Sequence, residues 1–291
     1  FAGLLLWHKL REAGFVDVRF CEKGGDVGGT WYWNRYPGIA CDVESYSYFP
    51  LLEEMEYFPT MKFASGFEIF EYCQTMADRF GFYEHCLFHT TVEETRWDEA
   101  TGRWIVGTDR GDQMKAKFLI IANGILTTPK LARVEGMETF KGKAFHTSRW
   151  DYNVDLADKR VGIIGTGATA VQAIPHLARD SGDLFVFQRT PSSIDVRNNR
   201  PIDPAEFDAL EAGWQRRWLD NFATLQTGGF TDEDLVMDGW TDIAKRIRRG
   251  TYFGQELVAR PRRMALMNLY LHQVEPHITL EVNHARSDLC L

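Results

Sequence analysis

Residues 160–170 read Arg160-Val161-Gly162-Ile163-Ile164-Gly165-Thr166-Gly167-Ala168-Thr169-Ala170. A short apolar strand (Arg160 to Ile164) runs into G-x-G-x-x-A, and the pattern then becomes helical from Ala168 to Arg179, despite Pro175. A second strand follows from Leu184 to Gln188. In this strand–turn–helix context Gly165 makes the turn and Gly167 lets the backbone approach a pyrophosphate. The small Ala170 packs helix on strand. The helix N-terminus presents free N–H groups and a partial positive charge to the phosphates, which makes Gly165, Thr166, Gly167, Ala168, Thr169 and Ala170 the candidate cofactor-binding residues. Arg189 lies 19 residues beyond Ala170, at the end of the second strand. An acid there suits a free ribose 2′-hydroxyl, and an arginine suits a 2′-phosphate, so the site reads as NADP rather than NAD. Thr190 adds a hydroxyl donor. The competing reading of Arg189 is an ordinary surface residue at a strand end.

The same offset recurs at the start of the chain. Leu4, Leu5, Leu6 and Leu10 give Gly3 to Ala13 a helical apolar face closed by Gly14, and Val16, Val18 and Phe20 alternate as in a strand. Glu22 then stands 19 residues beyond Gly3. Phe1-Ala2-Gly3 therefore reads as the last half of a first glycine box, and the acid at its strand end suits an unphosphorylated ribose, as in FAD or NAD. Two sites of opposite 2′ preference point to an enzyme that moves electrons from NADPH to a flavin. The opening Phe1, in place of Met, suggests a piece of a longer polypeptide.

Between the two boxes lies a loop from Gly24 to Pro50 rich in Gly, Trp and Tyr, then a helix from Phe67 to Phe80. Thr90 to Val92, Trp104 to Thr108 and Phe118 to Ala122 read as strands, with Thr101-Gly102 turning between the first two. From about Pro201 the pattern shifts to helical segments with Trp214, Trp218 and Trp240.

Composition excludes several classes. The chain has 291 residues, 44% hydrophobic and 25% charged, with 41 acidic against 33 basic side chains and a formal charge of −8. It can bury a sizeable core, and its acidic balance argues against a nucleic-acid surface. No apolar run approaches the ~18 residues of a membrane span. The five cysteines (Cys21, Cys41, Cys73, Cys86, Cys290) form no C-x-x-C, which argues against zinc or a disulfide framework and for a reducing cytoplasm. His85-x-x-x-His89 has helical metal-ligand spacing without an acidic or Cys partner, so no metal is expected. Lys245, Arg246, Arg248 and Arg249 read as a solvated helix face.

Phe140-x-Gly142-x-x-x-His146-x-x-x-Trp150-Asp151 matches, at every defined position, the fingerprint of the flavin-dependent Baeyer–Villiger monooxygenases, which the chain resembles over about Phe1 to Arg200. Trp150 followed by Asp151 separates that family from the related flavin-containing N-oxygenases, which usually carry Tyr there. Gly28-Gly29-Thr30-Trp31, continuing through Tyr36-Pro37-Gly38 to Asp42, matches a second signature. Ala122-Asn123-Gly124 is similar to the family's A-T-G turn, with Asn in place of Thr.

The resemblance implies an α/β fold with two Rossmann-like dinucleotide-binding domains. These are a partial FAD domain over 1–130, a fingerprint linker over 131–158, and an NADP domain over 159–291 with a helical insertion from about residue 201. It implies a chemistry in which NADPH reduces FAD, O2 adds at flavin C4a, and the resulting peroxide converts a ketone to an ester or lactone. Gly28, Gly29, Thr30, Trp31 and Asp42 would line the flavin side and Glu22 would take the FAD ribose. His146 and Trp150 would couple nicotinamide binding to domain arrangement. Asp42 would sit beside a catalytic arginine that has no convincing equivalent here, including in the basic stretch Lys245 to Arg263. Trp31, Trp33 and Tyr36 read alternatively as core aromatics. The competing functions are an N- or S-oxygenating flavin monooxygenase and a non-catalytic remnant.

Overall fold

The computed structural model describes residues 1–132, 134–191, 194 and 196–248. The chain divides into two units, Phe1–Ile194 with Asn199–Pro204, and Asp195–Asn198 with Ala205–Leu291.

The first unit opens with helix α1 (Ala2–Glu12), which buries Leu4 and Trp7 on one face. The Trp7 indole N–H donates to the Phe80 carbonyl at 2.8 Å, so its polar edge is satisfied inside the core. Strand β1 (Phe20–Cys21) follows. Two one-turn helices, α2 (Thr30–Trp33) and α3 (Ser45–Tyr48), punctuate the loop rich in Gly and aromatics, and a third, α4 (Leu52–Met55), follows it. Helix α5 (Gly66–Arg79) starts at Ser65, whose hydroxyl accepts the Glu68 backbone N–H at 3.2 Å, a side-chain N-cap. Ile69, Tyr72, Cys73 and Met76 recur at helical spacing and are buried, each large apolar side chain contributing about 1.5–3 kcal/mol. Phe49 and Leu52 are fully buried in the same core.

Strand β2 (Cys86–Leu87) pairs in parallel with β1. Strands β3 (Val92–Asp98), β4 (Arg103–Thr108) and β5 (Gln113–Ala116) form an antiparallel sheet in that order. Strand β6 (Arg160–Ile164), helix α6 (Ala168–Asp180) and strand β7 (Asp183–Phe187) make the second βαβ element, with β6 and β7 parallel. The architecture is α/β with two Rossmann-type parts. Residues 199–202 return along 60–63: Lys62 N–H donates to Arg200 O at 2.9 Å and Ile202 N–H to Thr60 O at 3.0 Å. The Asn199 amide pairs with both backbone groups of Phe63, which attaches this segment to the first unit.

Several sequence expectations are corrected. Val16 to Arg19 is not strand, and pairing starts only at Phe20; Phe15 and Val16 are exposed. Phe118 to Ala122 is not strand either, and Phe118 and Ile121 are 80% and 76% exposed. Both stretches carry strand-forming residues, but a strand exists only where a neighbour accepts its backbone bonds, and neither has one among the described residues. The strand foreseen at Thr90 to Val92 runs instead from Val92 to Asp98, through charged residues that a solvent-facing hairpin tolerates. His85 ends a single 3-10 turn and His89 follows strand β2 with φ +49°, so the two histidines do not share a helix face. Among the described residues no group of three or more His, Cys, Asp or Glu could hold a metal, and no helix is long and apolar enough to cross a membrane.

In the second unit, α7 (Ala205–Asp208) precedes α8 (Trp214–Gln226), which carries Trp214 and Trp218, and α9 (Gly239–Arg248), which carries Trp240. Lys245 is not a freely solvated cation: its ammonium pairs with Asp234, whose side chain is 7% exposed and also accepts the Thr241 hydroxyl at 2.7 Å. Arg249, the basic stretch beyond residue 248 and Cys290 lie outside the described residues.

Burial pushes the Cys73 and Cys86 thiols up to about 12 from ordinary values near 9, and the Tyr48 phenol up to about 12 from 10. The folded state therefore keeps protons that the unfolded chain releases first, so stability falls as pH rises from about 9 towards 12. Thermal unfolding across that range should show Tm dropping progressively above pH 9; a flat profile would contradict these burial assignments.

Candidate functional site

The second glycine box has the geometry its residues call for. Gly165 adopts φ +102° and its N–H donates to Phe187 O at 2.8 Å. Gly167 is the N-cap of α6, and no side chain caps the helix. A Cβ added at Gly165 or Gly167 would meet nothing within 4 Å, so the backbone here is open to a ligand. Ala168 and Thr169 open α6, and Ala170 is buried against the fold. Thr166 Oγ1 accepts the Gln188 amide at 2.9 Å, which brings the end of β7 beside the box. Arg189 and Thr190 follow directly and are exposed.

At the first box Gly3 lies in the first turn of α1, with the Phe20 ring 3.9 Å from where its Cβ would stand. No side chain caps α1. Glu22 follows β1, is half-buried, and its Oε1 accepts the Gly24 N–H at 2.6 Å. In each box a helix start is thus followed by a strand-end residue, Glu22 in the first and Arg189 in the second.

The Gly28–Asp42 loop is held from several sides. Gly28 (φ +107°) approaches the Phe70 ring so closely that a Cβ would sit 2.7 Å from it, and Gly29 (φ +52°) starts α2. Thr30 Oγ1 lies 4.0 Å from where a Cβ of Gly124 would be, so the Ala122-Asn123-Gly124 turn faces this loop. Asn34 donates to Leu126 O at 2.9 Å. Trp31 is 8% exposed, its indole N–H donating to Tyr48 Oη at 3.0 Å. Gly38 (φ +82°) meets α6: a Cβ there would be 2.5 Å from both the Gln172 carbonyl and the His176 ring.

The fingerprint linker grips the same loop. His146 caps the 3-10 turn Thr147–Arg149: its Nδ1 accepts the Ser148 N–H at 3.1 Å, which leaves the ring proton on Nε2. Trp150 packs edge-on against Phe145, with centroids 5.2 Å apart. Arg149, which sequence reasoning missed, stacks its guanidinium 4.3 Å over the Trp33 ring and donates to Thr127 O at 2.9 Å. Tyr152 donates its hydroxyl to Arg35 O. Asp42 is half-buried, and its Oδ1 accepts the Gln172 amide N–H at 2.8 Å. Gln172 was also missed. Its only sequence signal was its place in the turn after the glycine box.

Residues 18–205 match the profile of a family described as flavin-binding monooxygenase-like. The chain belongs to that family. Over 256 residues it is 54% identical to neopentalenolactone D synthase of Streptomyces avermitilis, covering 84% of this chain and 43% of that protein. It is 50% identical over 254 residues to a Baeyer–Villiger monooxygenase of Streptomyces coelicolor, covering 84% of this chain and 42% of the relative. The solved polycyclic ketone monooxygenase of Thermothelomyces thermophila superposes with TM-score 0.79 at 37% identity, over 92% of this chain and 47% of that one. The chain thus spans less than half the length of each of these three relatives.

Replacing Gly38 with Ala combines an unfavourable φ with a clash against backbone. Gly38→Ala should lower stability by about 2 kcal/mol or more, read from urea midpoints; a change under about 0.5 kcal/mol would mean that the loop does not press on α6.

Proposed function

We propose that this chain is part of an FAD- and NADPH-dependent monooxygenase of the Baeyer–Villiger type, converting a ketone to an ester or lactone. The observation that carries this reading is the seating of the Gly28–Asp42 loop on the helix of the second glycine box, through Gly38 and Gln172. Hydride transfer requires donor and acceptor within about 3–3.5 Å, so flavin-side and nicotinamide-side elements must be held in register.

In this reading Gly3 and Glu22 bind the adenosine half of FAD, and Gly28, Gly29 and Thr30 form the flavin-side wall. Gly165 to Ala170 take the NADP pyrophosphate, with Arg189 and Thr190 on its 2′-phosphate. Bound FAD supplies hydride acceptance and O2 activation. The overall balance is ketone, O2, NADPH and a proton giving ester, water and NADP+. The protein's contribution is orientation and water exclusion. Trp31 serves by packing the loop from behind. Asp42 is the carboxylate of the flavin-side loop, and His146 and Trp150, with Arg149 on Trp33, fix the linker to it. The Baeyer–Villiger relative and the polycyclic ketone monooxygenase support a ketone substrate for the whole protein. The cytoplasm is the proposed compartment, in keeping with four free cysteines among the described residues.

The purified chain should carry a yellow flavin spectrum that NADPH bleaches. Cyclic or aryl ketones should yield esters or lactones; amine oxide formation without any ester would overturn the assignment. Arg189→Ala should weaken NADPH by about tenfold or more, the size of a charge-assisted contact, and leave NADH nearly unchanged. Equal losses for the two nucleotides would refute the 2′-phosphate role.

A further inference from the structure

Gln172 stands in α6 two residues beyond Ala170, and its side chain leaves that helix to bond the loop of the first nucleotide-binding part. Its Oε1 accepts the Tyr36 hydroxyl at 2.8 Å and the Ala40 N–H at 3.3 Å. Its Nε2 donates to the Ala40 carbonyl at 3.0 Å and to Asp42 Oδ1 at 2.8 Å. A primary amide has two donors and two acceptor lone pairs, and all four are used here. The orientation of the amide is fixed by its partners. Turning it over would set its oxygen against a carbonyl and a carboxylate, and its NH2 against a peptide N–H. No other natural side chain of this length offers both a double donor and a double acceptor; Glu has no donor when ionised, and Met or Leu has neither.

Backbone geometry reinforces the link. Gly38, between Tyr36 and Ala40, lies so close to α6 that a Cβ would touch the Gln172 carbonyl. The Tyr36 ring is buried at 7% exposure. The Tyr36–Asp42 loop therefore cannot shift relative to α6 without breaking several bonds to one side chain, and α6 begins at an N-terminus without a side-chain cap, at the second glycine box.

We propose that Gln172 is a positioning residue that couples the NADP-binding helix to the flavin-side loop by holding Asp42. This rests on the functional reading above, in which α6 serves NADP and Asp42 belongs to the flavin side. A ligand that orders the first turn of α6 then also favours the loop conformation that receives the flavin, and the coupling is reciprocal.

The test is the FAD dissociation constant of the chain with and without saturating NADP+, read by flavin fluorescence. In the wild type NADP+ should tighten FAD by about fivefold or more, the lower end of ordinary site–site coupling. Gln172→Leu should bring that ratio close to one while NADP+ alone binds as in the wild type. Gln172→Glu, of nearly equal shape, should also lose it, because two carboxylates then face each other. Gln172→Glu combined with Asp42→Asn restores a donor–acceptor pair of reversed polarity and should recover part of the ratio. Thermal unfolding of each variant separates misfolding from lost coupling. A wild type that binds both nucleotides with a ratio of one, or a Gln172→Leu protein that keeps the wild-type ratio, overturns the proposal alone. A folded wild type that takes up neither nucleotide overturns the functional reading and this proposal with it.

Discussion

The close approach of the Tyr36–Asp42 backbone to helix α6 is the constraint on which the rest of the first unit depends. It exists because Gly38 has no side chain and adopts a left-handed φ, which lets peptide backbone pass against the Gln172 carbonyl and the His176 ring. Once that contact is made, the remaining bonds of the loop follow from geometry. Gln172 reaches across to Tyr36, Ala40 and Asp42. Arg149 and Tyr152 of the linker close on Trp33 and Arg35 from another side. A loop of this composition has little helix or sheet of its own; its conformation is set by the surfaces it is pressed between.

Much of this was legible in the sequence, because glycine boxes are local. A strand, a turn that needs φ > 0 and a helix N-terminus are specified within eleven residues, and β6 and the start of α6 fall where the pattern of residues 160–170 puts them. The spacing of Gly3 to Glu22 and Ala170 to Arg189 was legible for the same reason, since one βαβ unit has nearly fixed dimensions. What failed was non-local. Val16 to Arg19 and Phe118 to Ala122 have strand composition, but a strand is a property of a pair, and sequence pattern cannot report the presence of the partner. Lys245 read as solvated because nothing near it in sequence announces Asp234 as a buried counter-ion.

The site divides along the same line. Residues whose roles come from backbone conformation, such as Gly28, Gly38 and Gly165, are visible as glycines in a motif. Those whose roles come from what a long side chain reaches were not. Gln172 and Arg149 are polar residues in ordinary surroundings, and only their tertiary partners distinguish them. Trp31 shows the converse. It stands inside a signature, and only the structure shows that its indole N–H is bonded to Tyr48 and that its ring is buried.

The Asp42–Gln172 bond spans 130 residues of sequence, and the Asn199–Phe63 pair spans 136. Ring closures this long cost entropy before they return any contact energy. On the ribosome, at about 5–20 residues per second, Gln172 emerges roughly ten seconds after Asp42. During that interval Gly38 has no surface to press on, and the aromatic loop from Gly28 to Asp42 lacks the support of α6. The first part of the chain must therefore wait for the second before its most glycine-rich segment can take its final form.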